Sequence, residues 1–362
     1  MGSEYVRSPS RQRAEELGGD SRLVKGPLKG YHHETYVLHL PGGSRIVKVR
    51  EPRAGILWFD RRCFRSEEEL LRALNGQISR IPDVLDVEGM GLQGFIAGRT
   101  VGESLLRNRG VPHAIFHQIV DLFWEMAQIT PERLRVERRC EAADHAEDGD
   151  SAGFLEKLID FSEQQVFDRN YERFGRLFAE LGVTGDSFTQ LRKHVTGLRE
   201  RPFCLLHADL HRKNFIVDAA GRLWTIDWEL AMVGDPLYDL ATHLHLMRYP
   251  DDQARRMARH WCRAVDCATP GSSSGWEDDL PLLLAFKRAQ SVITDVIRVS
   301  QSLLLRDGSA FNWAGLPGAA LKLQRVLDSG AVPLGMRQVP GHSQIVEALA
   351  RWYFGACVRS QP

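Results

Sequence analysis

Alternating apolar and polar residues near the start of the chain predict a small antiparallel sheet. Residues 34–40 and 45–50 both alternate in this way, and the Pro-Gly-Gly sequence at 41–43 is typical of a turn that joins two strands. Residues 92–96 predict a further strand. After a short polar segment, the chain is therefore expected to form a hairpin and at least one more strand.

A helix is predicted between these strands. Apolar side chains within residues 67–74 recur at helical spacing. Ser66, followed three residues later by Glu69, is typical of a helix N-terminus, where a hydroxyl accepts an otherwise unpaired backbone N–H. Glu69 is therefore interpreted as a capping residue.

After Gly98 the pattern changes to helical spacing. One example begins at Asp251 after Pro250, where apolar residues between Ala254 and Val265 fall on one face of a helix and indicate core packing. Further helical stretches are predicted at 111–128, 152–181, 186–199, 280–305, 316–328 and 343–356. The expected fold class is α+β, with a small antiparallel-sheet N-terminal lobe and a larger, mostly helical C-terminal lobe.

This change of pattern divides the chain into three parts. Residues 1–20 are rich in Arg, Ser and Glu, which predicts a flexible or loosely attached start. Residues 21–97 contain the predicted strands and form the expected N-terminal lobe, and residues 98–362 form the expected C-terminal lobe. A hinge between the lobes is expected near residues 94–98.

One segment carries most of the chemical information. Asp209 is followed five residues later by Asn214, and Asp227 comes after two short apolar stretches, 215–217 and 223–226, with turn residues between them. These stretches predict a hairpin. Because neighbouring strands lie about 4.8 Å apart, Asp227 should return to the end of the hairpin that Asn214 left.

An amide and a carboxylate at one end of a hairpin suit a Mg²⁺ ion. This cation takes oxygen ligands, keeps waters, and is usually held by one or two side chains together with substrate phosphates. Asn214 and Asp227 are therefore the predicted metal ligands. Asp209, in the preceding loop, is placed to accept the proton of an attacking hydroxyl. Separate capping and turn roles would explain each residue, but not their common spacing.

The same segment resembles a known family. HADLHRKN at 207–214 resembles the H-x-D-x-x-x-x-N catalytic loop of aminoglycoside phosphotransferases and choline-kinase-like enzymes. IDWE at 226–229 is similar to the metal-binding segment of that family, and GDPLYDL at 234–240 resembles the segment that follows it. The resemblance implies a two-lobed, protein-kinase-like fold and a phosphotransferase that uses Mg²⁺ with ATP or GTP.

The resemblance also implies a nucleotide site in the N-terminal lobe. Lys48 is similar to the strand lysine that contacts nucleotide phosphates, whereas a solvated position is the simpler interpretation of any single lysine. Its expected partner is Glu67, with Glu68 as the alternative. Gly94 and Ile96 match hinge positions whose backbone binds a purine edge. Such backbone contacts do not distinguish ATP from GTP.

Several neighbouring residues have two interpretations. His207 is similar to a family histidine that braces the catalytic loop. His211 could donate a hydrogen bond to the transferred phosphate, or could serve packing alone. Glu229 could reach a second Mg²⁺ or cap a helix. Gly26 and Gly30 flank the position of a phosphate-covering loop, although a plain turn explains them equally well.

Composition excludes several classes of partner. Basic and acidic residues number 47 each, so no net charge draws the protein to nucleic acid or anionic membranes. The polar N-terminus has no apolar signal core, and no stretch approaches the roughly 18 apolar residues of a membrane span. We expect a cytoplasmic protein whose six cysteines are reduced.

The expected reaction is direct transfer of a γ-phosphoryl group to the hydroxyl of a small molecule. Acidic residues within 139–151 could attract a polycationic antibiotic, although an acidic surface loop also explains them. An aminoglycoside or other hydroxylated antibiotic is the favoured acceptor, because many relatives modify antibiotics. A sugar, amino alcohol or nucleoside kinase is the alternative. A non-catalytic nucleotide-binding pseudokinase is a third possibility, against which the intact set of catalytic residues argues.

Overall fold

Five antiparallel strands form a sheet in the N-terminal part of the protein. They are β1 (Lys25–Leu28), β2 (His33–His39), β3 (Ile46–Pro52), β4 (Val84–Val87) and β5 (Met90–Gly94), in the order β1-β2-β3-β5-β4. The computed structural model describes residues 8–19, 21–28, 33–41, 45–53, 58–59, 61–104, 110–141, 144–304 and 310–359, and only the backbone of 21, 103–104 and 356–359. The predicted hairpin is confirmed as β2 and β3.

The sequence pattern did not predict β1 or β4, and β5 begins two residues before its predicted start. Strand β1 contains Gly26 and Pro27, which are poor strand formers, and it pairs with β2 through an irregular register. Gly26 is needed there because a Cβ atom would lie 2.7 Å from the ring of Tyr36. Of the predicted phosphate-covering loop, residues 26–28 belong to β1, and Lys29 and Gly30 lie outside the described residues.

A helix, α1 (Pro9–Gly18), packs against this sheet. Ser8 caps it by accepting the N–H of the third helical residue at 3.4 Å. Ala14 and Leu17 are buried in a small core shared with β2, β3 and β5. The interpretation of residues 1–20 as a flexible start is therefore wrong for this helix. Two apolar side chains are enough to dock it, and they are too few to stand out in a polar sequence.

The remaining helices build a larger core. They are α2 (Glu67–Leu74), α3 (Val101–Ser104), α4 (His113–Ala127), α5 (Ser151–Asp160), α6 (Tyr171–Glu180), α7 (Asp186–His194), α8 (Pro236–Met247), α9 (Asp251–Ala268), α10 (Trp276–Ser302), α11 (Leu316–Gly330) and α12 (His342–Arg359). The predicted helices are confirmed, and the largest difference in an end is at α7, which stops five residues early. Residues 161–167 form a π-helical segment between α5 and α6.

Helix α2 begins where its sequence predicts. The hydroxyl of Ser66 accepts the N–H of Glu69 at 3.3 Å. Leu70, Leu71 and Leu74 are buried in the larger core, so this helix joins the region of the sheet to the helical part. The same helix carries Glu67 and Glu68 at its first turn.

Two small sheets lie within the helical part. β6 (Arg99–Thr100) pairs with β8 (Phe215–Val217), which pairs with β9 (Leu223–Thr225), and β7 (Cys204–Leu206) pairs with β10 (Met232–Gly234). The antiparallel register of β8 and β9 confirms the hairpin predicted after Asn214. Within the described ranges, no helix combines the length and the apolar character needed to cross a membrane.

Candidate active site

A cleft of about 580 Å³ lies between residues of the five-stranded sheet and residues of two helices. Its sheet wall consists of Leu28, His33, Thr35, Lys48, Arg50 and Gln93. Its helical wall consists of Thr242, His245 and Leu246 on α8 and of Lys287, Gln290, Ser291, Thr294 and Arg298 on α10. The floor is formed by the segment between β7 and β10, and includes Asp209, His211, Asn214 and Asp227. Five of the eight predicted site residues thus line one cavity.

The hairpin brings the predicted metal ligands together. The Ile226 N–H donates to the carbonyl oxygen of Asn214 at 3.0 Å, which places Asp227 beside Asn214. The Nδ2 of Asn214 donates to the backbone oxygen of Asp209 at 3.0 Å and to its carboxylate oxygen Oδ2 at 3.1 Å. Because the amide nitrogen faces Asp209, the amide oxygen of Asn214 is its atom suited to bind a cation.

A buried carboxylate on α8 fixes the loop that carries Asp209. Asp239 accepts the backbone N–H groups of His207 at 3.0 Å and of Ala208 at 2.8 Å. Burial raises the pKa of Asp239 to about 6. The sequence reasoning missed this residue, although an acidic residue among the apolar side chains of the GDPLYDL segment is a signal that could have identified it.

His207 has a structural role, in agreement with its interpretation from the sequence. Its Nδ1 accepts the Asp209 N–H at 3.3 Å, and its Nε2 lies 3.1 Å from the carbonyl oxygen of Ile226. These bonds assign the hydrogen of the neutral imidazole to Nε2. Burial lowers the pKa of His207 to about 3, so the ring stays neutral and links the two ends of the site.

His211 presents an N–H group beside Asp209. Its Nδ1 accepts the backbone N–H groups of Asn214 at 3.2 Å and of Lys213 at 3.3 Å. The hydrogen of the neutral ring is therefore on Nε2, which lies 3.7 Å from the carboxylate oxygen of Asp209. Burial lowers the pKa of His211. A neutral donor thus faces the region in front of Asp209.

Asp227 is buried near two carboxylates and two basic side chains. Its backbone is left-handed, with φ 69° and ψ 61°, a region that Asp enters more readily than most residues. Burial, followed by the nearby carboxylates of Glu67 and Glu229, raises the pKa of Asp227 to about 7. Repulsion among these groups would be relieved by a divalent cation.

The donor set at this position fits Mg²⁺. No three His, Cys, Asp or Glu side chains within the described ranges are arranged to hold a metal ion. Mg²⁺ needs no such cluster, because it keeps waters and takes one or two protein ligands beside substrate phosphates. Asn214 and Asp227 supply oxygens of that kind. Glu229 lies 3.4 Å from the Nδ1 of His33 and so faces the sheet wall.

Lys48 lines the cleft, but its expected ion pair with Glu67 is not formed. Glu67 instead contacts the guanidinium of Arg50 and accepts the Trp228 N–H at 2.8 Å. Arg50 also pairs with Glu68 at 2.8 Å. Within the described part of the chain, Lys48 has no carboxylate at ion-pair distance. Burial lowers the pKa of Lys48, and the charge of Glu67 opposes that effect.

The different shapes of the Lys48 and Arg50 side chains explain why Glu67 pairs with Arg50 and not with Lys48. Lys48 and Arg50 are two residues apart on β3 and therefore project from the same face of the sheet. The planar guanidinium of Arg50 has several N–H groups and can bridge two carboxylates, whereas an ammonium acts as a compact point charge. Arg50 therefore takes the glutamates of α2.

The structure does not bring the expected hinge residues to the cleft. The Gly94 N–H donates to the carbonyl oxygen of Asp83 at 2.9 Å, and a Cβ atom at Gly94 would lie 2.0 Å from the Asp83 carboxylate. Gln93 lines the cleft in its place, and the half-buried Ile96 lies outside the lining. A role for Gly94 and Ile96 in binding a purine edge stays a prediction.

The acidic residues of 139–151 support local structure away from the cleft. Asp150 caps α5 by accepting the Gly153 N–H at 2.8 Å, and Asp148 accepts the Phe203 N–H at 2.8 Å. No described residue of this segment lines the main cleft. The idea that these acids draw a polycation to the cleft therefore gains no support from their positions.

Comparison with known proteins gives a family match. The model of the phosphotransferase enzyme family matches residues 24–276, more than two thirds of the chain. Comparison with curated protein sequences gives no match. The family match includes the catalytic segment and the whole five-stranded sheet.

Solved structures give further matches. A choline/ethanolamine kinase family protein from Mesorhizobium loti matches with a TM-score of 0.52 and 15% identity, over 94% of this chain and 98% of that chain. The macrolide 2'-phosphotransferase of Brachybacterium faecium has a TM-score of 0.49 and 12% identity, over 89% and 94%. The choline kinase of Streptococcus pneumoniae has a TM-score of 0.49 and 16% identity, over 90% and 99%. The first likeness confirms the predicted protein-kinase-like fold.

Proposed function

Because the chain belongs to the phosphotransferase enzyme family, we propose that it transfers the γ-phosphoryl group of ATP or GTP to a hydroxyl group of a small molecule. The observation that supports this proposal is the hydrogen bond between Asp209 and Asn214, beside Asp227, in a cleft that Lys48 also lines. Phosphoryl transfer needs a base for the hydroxyl, oxygen ligands for a cation and a counter-charge for phosphates. These four residues supply them.

In the proposed reaction, Asp209 orients the acceptor hydroxyl and takes its proton while the new oxygen–phosphorus bond forms. The bond between the γ-phosphorus and its bridging oxygen breaks, and a nucleoside diphosphate leaves. Asn214 and Asp227 would hold Mg²⁺, which would supply positive charge against the nucleotide phosphates. Lys48 adds a positive charge on the sheet wall.

His211 has a defined part in this mechanism. Its Nε2–H group faces the space in front of Asp209, where the transferred phosphoryl group would pass. A neutral N–H donor stabilises the negative charge on that group without competing for the proton that Asp209 accepts. Ala at this position would remove this donor, together with the Nδ1 acceptor of the Lys213 and Asn214 N–H groups.

The acceptor is defined here only by its class. An antibiotic follows from the sequence resemblance, and a sugar, amino alcohol or nucleoside is the alternative. Both groups of compounds carry hydroxyls, so the reaction at the floor of the cleft would be the same for each. The helical wall, which lies on the other side of the floor from the nucleotide residues, would make the contacts that distinguish them.

A phosphate-transfer screen tests the proposal. Hydroxylated antibiotics and small metabolites are incubated with the protein, Mg²⁺ and either ATP or GTP, and a product carrying one added phosphate is detected by mass. Asp209→Asn should lower turnover at least about hundredfold, while calorimetric nucleotide binding persists. Asp121→Asn, which removes an exposed carboxylate from α4, is the matched control. Nucleotide binding without transfer to any compound would favour a scaffold protein.

A further inference from the structure

Two cysteines lie beside each other on neighbouring segments, and neither lines the main cleft. The Arg139 N–H donates to the carbonyl oxygen of Cys63 at 2.9 Å, and the adjacent pair Phe64 and Arg138 forms an isolated antiparallel bridge. The Sγ of Cys140 lies 3.5 Å from the carbonyl oxygen of Cys63, and the two side chains are hydrogen-bonded to each other. Backbone pairing therefore holds together two thiols that are far apart in the sequence.

His145 gives Cys140 a hydrogen-bond donor. The Nδ1 of His145 lies 3.4 Å from Nη1 of Arg138, and because a guanidinium can only donate, Nδ1 is the acceptor. The hydrogen of the neutral imidazole is then on Nε2, which lies 3.2 Å from the Sγ of Cys140. A donor in this position stabilises a negative charge on the sulfur, so it favours the thiolate of Cys140.

The surroundings make the two thiols different. The hydrogen bond with the Cys63 side chain contributes most to lowering the pKa of Cys140, and interactions with His145 and Arg61 lower it further, against the effect of burial. The same hydrogen bond, followed by burial, raises the pKa of Cys63. Cys63 is buried, whereas Cys140 is partly exposed. The more accessible sulfur is therefore the one that ionises, and its buried neighbour stays a thiol.

A cavity of about 70 Å³ adjoins this pair and is lined by Cys63. Its charged and polar lining residues are Arg61, Arg138, Asp144, His145 and Asp148. About 10–15 Å³ is enough for one water molecule, so hydrogen peroxide, which has two oxygen atoms, can enter a cavity of this size. The positive charge of the two arginines favours hydroxide as a leaving group there.

We propose that Cys140 and Cys63 form a peroxide-reactive thiol pair, in which Cys140 is oxidised first and Cys63 then closes a disulfide with it. The Cys140 thiolate attacks one oxygen of hydrogen peroxide, the O–O bond breaks and hydroxide leaves, which produces a sulfenic acid. The sulfur of Cys63 then attacks that of Cys140, and the sulfenic hydroxyl leaves as water with the thiol proton. The two thiols lose two electrons and two protons, and peroxide is reduced to water.

Peptide mapping of the wild-type protein tests the pair without any variant. The full chain is treated with a small excess of hydrogen peroxide, the remaining thiols are alkylated, and tryptic peptides are compared before and after reduction with dithiothreitol. We expect a linked pair of peptides that contain Cys63 and Cys140, and that separate on reduction. Cys267 should react more slowly than Cys140, although it is exposed and would react first if exposure alone decided the rate.

Variants separate the roles of the residues. Cys63→Ser should leave a sulfenic acid on Cys140 that dimedone labels, whereas Cys140→Ser should leave the buried Cys63 unlabelled. His145→Phe keeps a ring but removes the donor, and should slow the oxidation of Cys140 about threefold or more. Cys267→Ser is the matched control and should not change the rate of disulfide formation. Melting temperatures show whether each variant is folded.

Other outcomes overturn the inference. A wild-type protein that forms no link between Cys63 and Cys140, or in which Cys267 is oxidised first, has no reactive pair, whatever the variants show. Dimedone labelling of Cys63 in folded Cys140→Ser would contradict the order of the two steps. An unchanged rate of oxidation in folded His145→Phe would contradict the stabilisation of the thiolate by that residue. The proposed phosphotransferase function stands in each case, because neither cysteine belongs to its cleft.

Discussion

Each wall of the cleft carries one lysine and one arginine, but the two pairs are held differently. On the sheet wall, the guanidinium of Arg50 pairs with Glu67 and Glu68 on α2. On the helical wall, a phenol and an amide contact Lys287, and an aromatic ring contacts Arg298. Carboxylates therefore contact the arginine of the sheet wall, whereas a phenol, an amide and an aromatic ring are among the contacts of the helical wall.

The difference separates two tasks. The guanidinium of Arg50, which pairs with two carboxylates, holds α2 against β3 and adds little net charge to the cleft. Phosphate binding on the sheet wall should therefore depend on Lys48 and on the Mg²⁺ ion that the floor would hold. The helical wall instead presents polar side chains of α8 and α10 that can contact an acceptor. Specificity for the acceptor should thus depend on the helical wall.

Among these variants, Asp227→Ala should have the largest effect, and the property that changes should be nucleotide binding. The nucleotide phosphates would lose the cation that connects them to the floor, and the affinity for Mg²⁺-nucleotide should fall at least about hundredfold. Calorimetric titration measures this change, with Asp121→Ala as the control. An unchanged nucleotide dissociation constant would mean that the metal is held elsewhere.

The two glutamates of α2 should differ in their contribution to stability. Glu67 is buried, so Glu67→Gln leaves the charge of Arg50 poorly compensated and should lower the free energy of unfolding by about 3–5 kcal/mol. Glu68 is more exposed, and Glu68→Gln should cost about 1 kcal/mol or less. Urea denaturation of both variants measures the difference. Equal effects would show that Arg50 does not depend on Glu67 in particular.

The catalytic segment could be predicted because its geometry is local. The turn after β8 and the alternation of β8 and β9 fix the register, so the sequence alone places Asp227 next to Asn214. The cap at Ser66 is equally local. Few long-range contacts were needed for either prediction.

The rest depends on contacts between distant parts of the chain. Lys48 and Arg50 share one face of β3, so sequence spacing does not reveal which of them meets Glu67. The polar residues of α10 that line the cleft, from Lys287 to Arg298, have the same pattern as a solvent-exposed helix face, and only the packing of α10 beside α8 makes them a wall of the cleft. Asp239 stands out as an acid among apolar side chains, but its role was missed because its partners are backbone N–H groups, which the sequence does not identify.

The stability of the protein should depend on pH through Asp239, the α8 residue that binds the loop of the floor. Burial raises the pKa of Asp239 to about 6, against about 3.9 in an unfolded chain. The protonated carboxyl of Asp239 therefore stabilises the folded protein most below about pH 4. This contribution to the free energy of unfolding, at most about 3 kcal/mol, is lost as the pH rises to about 6. Asp239→Asn should remove this loss. Urea denaturation of both proteins across that range tests it, and parallel curves would contradict the assignment.

The smallest effect should come from Ala208, which lines the floor between the two walls with a left-handed φ of 62°. A Cβ atom in this left-handed region costs about 1–2 kcal/mol. Unfolded glycine has greater backbone freedom than alanine, which offsets part of that gain. Ala208→Gly should therefore stabilise the protein by up to about 1 kcal/mol. Ala114→Gly, on the exposed face of α4, should destabilise by about 1 kcal/mol. Turnover of Ala208→Gly should stay within about twofold, because Asp209 keeps its bonds to Asn214. Destabilisation of this variant would mean that the loop between the walls is relaxed, and that the hydrogen bond donated by the Ala208 N–H to Asp239 does not hold it under strain.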